Sequence, residues 1–343
     1  MNISPQSHRN SNFDFLRLFF ASLVIVSHSF PLTGKEEILD LITNKQESFG
    51  SLAVSCFFIL SGYFIFISLK NSKTIENYLW KRFLRLFPAL IVLVVFTLLV
   101  IPLVYHGSNI FTESSYYSYG PNVLSLYKVQ YYINGVFEHN PYPRAINGSL
   151  WSLSYEFTLY LVLAFLFFLR QRKLLFYLIL AVFVISYFFF QFHPGFLSAY
   201  TSKIFLDSGQ LYKLTMYFFA GSLLSFINFG KINTLFIRIL LVITLVLSFY
   251  FPVYKFVAPI ISPLLVMMIG SLYTPWISKI SQKLGDISYG VYIYGFLLQQ
   301  LLMEYFDLNA FLLTSISLPL TYIFAYLSWH LVEKKMQKYK NLI

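Results

Sequence analysis

Long apolar runs, separated by short polar and basic stretches, make up most of the chain. Ten of these runs approach the roughly 20 residues a helix needs to cross a bilayer. They cover about 13–32, 50–69, 84–104, 149–169, 174–192, 211–229, 235–251, 256–274, 287–305 and 311–332. Several are apolar on every face, as in LFPALIVLVVFTLLVIPLV and LLFYLILAVFVISYFFF. They do not alternate and are too long for strands. The pattern predicts an all-α integral membrane protein of about ten transmembrane helices, forming one domain over residues 1–343. A polar tail, residues 1–12, precedes the first run. That run holds Asp14 and Arg17, lacks a clear cleavage site and reads as a retained span. A long outer connection, about 105–148, is rich in Tyr, Ser, Asn, Gly and Pro. Its composition suits packing over a mouth or stacking on sugar rings, and equally a membrane interface.

Composition narrows the class. Hydrophobic residues make up 57% and charged residues 11%, against roughly 25% charged in an ordinary soluble domain. This excludes a soluble enzyme, a disordered chain and a disulfide scaffold. The net charge of +11 reads as cytoplasmic loops meeting anionic lipid headgroups rather than nucleic acid. With both termini placed in the cytoplasm, 18 of the 25 Lys and Arg residues fall on inner segments, as the positive-inside rule requires. Cys56 is the single cysteine, so no internal disulfide and no cysteine-based metal cluster is available. No metal site is expected.

Ionisable groups inside a span are costly and mark functional positions. Arg17 and His28 lie eleven residues apart, which returns within roughly 20° on a helix and separates them by about 16 Å along one face. Asp14, three residues before Arg17, can pair with it. His28 suits either a chemical role or a hydrogen bond to a neighbouring helix. In KRFLRLFP, Arg82 and Arg85 share a face. Such a pair can chelate phosphate or pyrophosphate, or snorkel to headgroups. In NGSLWSLSYEFTLYL, residues 147–161, Glu156 sits about two turns into the membrane beyond Trp151 at interface depth, with Ser149, Ser152 and Ser154 nearby. Glu156 and His28 are expected at similar depth. A carboxylate there would hold the imidazole's tautomer and raise its basicity. A structural Glu–His or Glu–Arg tie is the alternative. Together these features suit a small group carried inside on a phosphate-bearing donor and delivered outward.

The chain resembles the acyltransferase family 3 integral membrane proteins, the group that includes bacterial O-antigen, exopolysaccharide and Nod-factor O-acetyltransferases. Three motifs carry the resemblance: Arg17 and His28 with ten residues between them, Arg82-x-x-Arg85, and Trp151-Ser152-Leu153-x-x-Glu156. Weaker similar pieces are FFILSGYF at 57–64, ISYGVYIYGF at 287–296 and LVEK at 331–334. The resemblance covers almost the whole chain and leaves no room for an appended esterase-like domain. It implies an acyl-CoA donor, often acetyl-CoA, and a saccharide or glycan hydroxyl as acceptor, at the bacterial inner (cytoplasmic) membrane. By analogy His28 is catalytic, assisted by Glu156. Arg17, Arg82 and Arg85 would bind the coenzyme A, Trp151 and Ser152 the acceptor, and Asp14 would support Arg17. The chain departs from the family pattern at Tyr294-Gly295, where a histidine commonly stands second, and at Phe15, where glycine is common. Direct attack of the sugar hydroxyl and passage through an acyl-enzyme are both open. A proton-coupled exporter or flippase of a glycan precursor, and a non-catalytic assembly partner, are the competing readings. Neither acceptor sugar nor oligomeric state follows from the residues.

Overall fold

The computed structural model describes residues 11–229 and 232–343, with the backbone alone over 278–282. Most of the polar tail, including Arg9, and Lys231 lie outside the described residues, as does the side chain of Lys279. Among the described residues the fold is helical, and the one strand-like pairing is an isolated antiparallel bridge between Tyr105 and Val136. The principal helices are α1 (Phe13–Leu32), α2 (Phe49–Asn71), α3 (Ile75–Val100), α4 (Ser114–Leu124), α5 (Trp151–Phe165) and α6 (Leu174–Phe192). They continue as α7 (Ser208–Leu224), α8 (Leu235–Tyr250), α9 (Tyr254–Gly270), α10 (Pro275–Leu284), α11 (Ser288–Tyr305) and α12 (Ala310–Ser328).

Five helical segments among the described residues are long and apolar enough to cross a membrane: Phe13–Leu32, Phe49–Asn71, Ile75–Val104, Leu174–Phe192 and Ala310–Asn341. The other expected runs form helices that miss one criterion. α5, α7, α8 and α9 are shorter than 18 residues, and α11 is long enough but polar. Local chemistry sets several boundaries. The Thr74 hydroxyl accepts the Asn77 amide and starts α3 at Ile75, well before the expected 84. Arg82 therefore lies about 10 Å inside the helix rather than at its start. The Asp207 carboxylate accepts the Gln210 amide and starts α7 at Ser208. α5 ends at Phe165 and passes into a 3₁₀ turn over Phe167–Leu169.

The core is apolar, but so is much of the outer surface, and polar groups are buried between helices. Phe188 on α6, Phe236 and Val246 on α8, and Phe311 and Ile323 on α12 face outward, where hydrocarbon is their natural surrounding. Ser29, Thr97, Ser222, Gln299 and Gln300 are buried. These features describe a multi-pass membrane protein. α2 and α7 approach until backbones touch: a Cβ at Gly62 would overlap the Phe218 carbonyl, and one at Gly221 the Ile59 carbonyl. Small residues at such crossings let helices meet without a hydrophobic drive between them. The Ser222 hydroxyl donates to the Gly62 carbonyl at 3.0 Å.

α11 is buried along most of its length and anchors the 105–148 connection. Asn140 Nδ2 donates to Gln300 Oε1 at 2.9 Å, and Gln300 Nε2 donates to the Tyr142 and Ala145 carbonyls at 2.9 and 2.7 Å. Asn147 Nδ2 donates to the Ile293 carbonyl at 2.7 Å. Irregular backbone at membrane depth needs such partners. The same glutamines, with Glu304 and four tyrosines, make α11 more polar than the spanning helices. Gln300→Leu leaves the Tyr142 and Ala145 carbonyls unpaired, while Asn140 keeps the Gln300 backbone carbonyl at 3.1 Å, and is expected to cost about 2–4 kcal/mol. Thermal unfolding in detergent would read it as a lower melting temperature; an unchanged one would show that the loop is held elsewhere.

Candidate active site

α1, α2, α3, α5 and α11 enclose a cavity of about 670 Å³ towards the N-terminal end of α1. Arg17 lines it from α1, Ser61 and Ser68 from α2, Arg82 and Arg85 from α3, and Glu156 and Tyr160 from α5. Each pair is spaced so that its members share a helix face. Asp286, just before α11, completes the polar set.

The three arginines differ in how they are held. Arg17 is paired with Asp14 at 2.9 Å and lies over the Phe64 ring at 4.5 Å. Arg85 is paired with Asp286 at 2.7 Å. Burial alone would raise the Asp286 carboxyl, but the charges of Arg85 and Arg17 and hydrogen bonds from Ser288 and Arg85 together outweigh this and hold it below the ordinary aspartate range. Arg82 lies between the Tyr78 and Tyr160 rings and donates Nη2 to Ser68 Oγ at 3.2 Å. Its Nε is buried without a hydrogen-bond partner, and no carboxylate lies within ion-pair distance of it among the described residues. Lys81 and Lys340 also line the cavity. Five cations thus face the two carboxylates Glu156 and Asp286. Arg82 is half-buried with no carboxylate in contact, and cations outnumber carboxylates in the chamber, an arrangement that suits an anion.

Towards the other end of α1 lies a second cavity, of about 250 Å³. His28, Trp151, Gln210, Lys213, Ser48 and Ser51 line it. His28 Nδ1 is buried without a partner among the described residues, and the ring meets Phe296 edge-on at 5.1 Å. Lys213 Nζ donates to Ser51 Oγ at 2.5 Å and lies 3.6 Å from Glu47.

Arg17 and His28 do lie on one side of α1, but each opens on its own cavity. Glu156 does not meet His28. Its Oε1 accepts hydrogen bonds from Ser61 at 2.8 Å and Tyr160 at 2.5 Å, which places it in the arginine chamber. Trp151 shares the cavity of His28, whereas Ser152 lines the larger cavity and bonds the Tyr292 hydroxyl at 2.6 Å. No residue of the 105–148 connection lines either cavity among the described residues; it braces α11 instead. Gly295 packs on Ile25, where even a Cβ would stand 2.7 Å from that side chain. Phe15 stacks on Phe19. Cys56 is buried as a free thiol, and no cluster of His, Cys, Asp or Glu able to hold a metal occurs among the described residues. Sequence reasoning missed Asp286, Tyr160, Tyr292 and Lys213. Asp286 left a signal, as a carboxylate beside a span entrance among basic residues. The tyrosines left none, being submerged among 27.

A family model for an acyltransferase domain matches residues 10–330. The chain belongs to acyltransferase family 3. It is an acyltransferase, which sets aside the exporter and non-catalytic readings. It is 28% identical over 335 residues to a protein named O-acetyl transferase from Shigella phage Sf6, covering 96% of each chain. It is 26% identical over 379 residues to Nodulation protein 10 of Rhizobium leguminosarum bv. viciae, covering 99% of this chain and 96% of that one. No solved structure matches it. Gln337, Lys340 and Asn341, which line the larger cavity, lie beyond the matched stretch. Trp80 Nε1 and Asn77 Nδ2 hold that segment to α3 through the Tyr339 and Lys340 carbonyls, at 2.9 and 3.2 Å.

Proposed function

We propose that this acyltransferase is an O-acetyltransferase of the bacterial inner membrane, moving an acetyl group from cytoplasmic acetyl-CoA to a hydroxyl of a saccharide or cell-surface glycan. The observation that carries this reading is the pairing of two chambers. One is cationic, with Arg82 outside ion-pair distance of any carboxylate among the described residues; the other holds a histidine whose Nδ1 is buried without a hydrogen-bond partner among them. A donor rich in phosphate suits the first. A sugar suits the second, where Trp151 offers a ring face and Gln210, Lys213 and the serines offer hydrogen bonds. The name of the phage relative supports transfer of acetyl to oxygen.

In this reading about ten helices span the membrane with both termini inside, so the arginine chamber opens to the cytoplasm. His28 accepts the proton of the sugar hydroxyl as that oxygen bonds to the thioester carbonyl carbon. The carbon–sulfur bond breaks, and the imidazolium returns the proton to the departing thiolate. The products are the ester and free coenzyme A thiol. Arg82 and Arg17 hold phosphate oxygens by charge-assisted hydrogen bonds. Arg85, already paired, shapes the chamber and contributes field. Glu156 works on the donor side, fixing Tyr160 and Ser61. Glu156→Gln is therefore expected to raise KM for acetyl-CoA several-fold and to leave the pH profile of kcat in place. A displaced kcat profile would return Glu156 to a role beside His28.

The deciding experiment is acetyl-CoA consumption by the purified protein in detergent, with a mixture of bacterial glycans as acceptors. Consumption that depends on His28 supports the reading. No consumption together with no acetyl-CoA binding would point to a different acyl donor.

A further inference from the structure

The larger cavity holds the arginines and the smaller one holds His28, and two side chains line both: Val54 of α2 and Tyr292 of α11. They form the boundary that the two chambers share. Tyr292 is a fixed wall. Its hydroxyl donates to the Ser149 carbonyl at 2.7 Å and bonds Ser152 Oγ at 2.6 Å, and its ring meets Phe57 edge-on at 5.8 Å. Val54 has no polar tie. As a β-branched residue in a helix it keeps essentially one rotamer, so its two methyl groups stand at a defined place.

The α2 wall changes character along its length. Ser48 and Ser51 line the smaller cavity, and Ser61 and Ser68 the larger. Between them lie Val54, Phe57 and Phe58 on the larger cavity, and Ser55, whose Oγ is buried without a partner among the described residues, on the smaller. Val54, Phe57 and Phe58 therefore give the larger cavity an apolar band where it borders the smaller one, with hydroxyls beyond it on either side. Phosphate and sugar suit the ends, and the band suits a short alkyl group. We propose that Val54, set against the immobile Tyr292, is the residue that limits the size of the transferred acyl group and selects acetyl over longer chains. This rests on the acyl-CoA reading of the larger cavity.

The test is kcat/KM, by release of coenzyme A thiol, for acetyl-CoA, propionyl-CoA and butyryl-CoA. Wild type, Val54→Ala and Val54→Leu are compared. A hydrophobic pocket discriminates one methylene by about 10- to 200-fold. The expected result is a butyryl-to-acetyl ratio raised about 10-fold or more in Val54→Ala, and a propionyl-to-acetyl ratio lowered in Val54→Leu. The opposite directions of the two variants separate a size filter from general damage. Ratios that stay at the wild-type value in variants that still consume acetyl-CoA would overturn the filter and leave the donor reading standing. A wild type that consumes none of the three thioesters would overturn the donor reading, and the filter with it.

Discussion

Replacing His28 by alanine is expected to lower acetyl transfer by about 10²–10⁴-fold or more, with the protein still folded in the membrane. The reasoning is structural. His28 Nδ1 is buried yet bonds to nothing among the described residues, so removing the ring breaks no hydrogen bond there that the fold depends on. What is lost is edge-on contact with Phe296, a matter of about 1 kcal/mol. Activity and melting temperature should therefore separate cleanly. The measurement is thiol release from acetyl-CoA alongside thermal unfolding in the same detergent. A variant that retains more than a tenth of wild-type turnover would remove His28 from the chemistry. One that fails to fold would show that the ring is structural.

The second large effect should split the arginine pair that looked uniform in sequence. Arg82→Ala is expected to raise KM for acetyl-CoA about 10- to 100-fold, the worth of one or two hydrogen bonds to a charged group, with little change in stability. Among the described residues it makes one hydrogen bond, to Ser68 Oγ. Arg85→Ala should instead destabilise the fold, because Asp286 is left without its partner. Fully buried pairs lose 3–5 kcal/mol when one member is removed. Here the side chains are 24% and 26% exposed, so about 2–3 kcal/mol is expected after solvent screening. pH provides a check. Against the effect of burial, Arg85, with Arg17 and the Ser288 hydroxyl, holds the Asp286 carboxyl low, so the pair's contribution is complete above the ordinary aspartate pKa and fades as pH falls through the lower folded-state value. The stability gap between wild type and Arg85→Ala should narrow as the pH falls. A gap independent of pH, or equal kinetic effects of the two substitutions, would contradict this division of labour.

Helix content, membrane class and the identity of the motif residues were legible from the chain, because each depends on local pattern. Apolar length makes a span whatever its neighbours are, and an ionisable residue in such a run is conspicuous wherever it ends up. The eleven-residue spacing of Arg17 and His28 is likewise a property of one helix, and both do face cavities on one side of α1. Partnerships between helices were not legible in that way. The sequence pattern predicts Glu156 at the depth of His28, but α5 carries it past that level to the cavity at the N-terminal end of α1, where it bonds Ser61 of α2 and Tyr160 of its own helix. Arg82 and Arg85 are equivalent by spacing; only the position of Asp286, some 200 residues on, makes one a paired strut and leaves the other free for an anion. α11 reads as a span by its apolar residues, yet its glutamines turn inward to satisfy a loop. Local free energies, written residue by residue, determined which segments are helices and which groups are costly to bury. The pairing of those costly groups is a long-range matter, and only the tertiary packing of α1, α2, α3, α5 and α11 decided it.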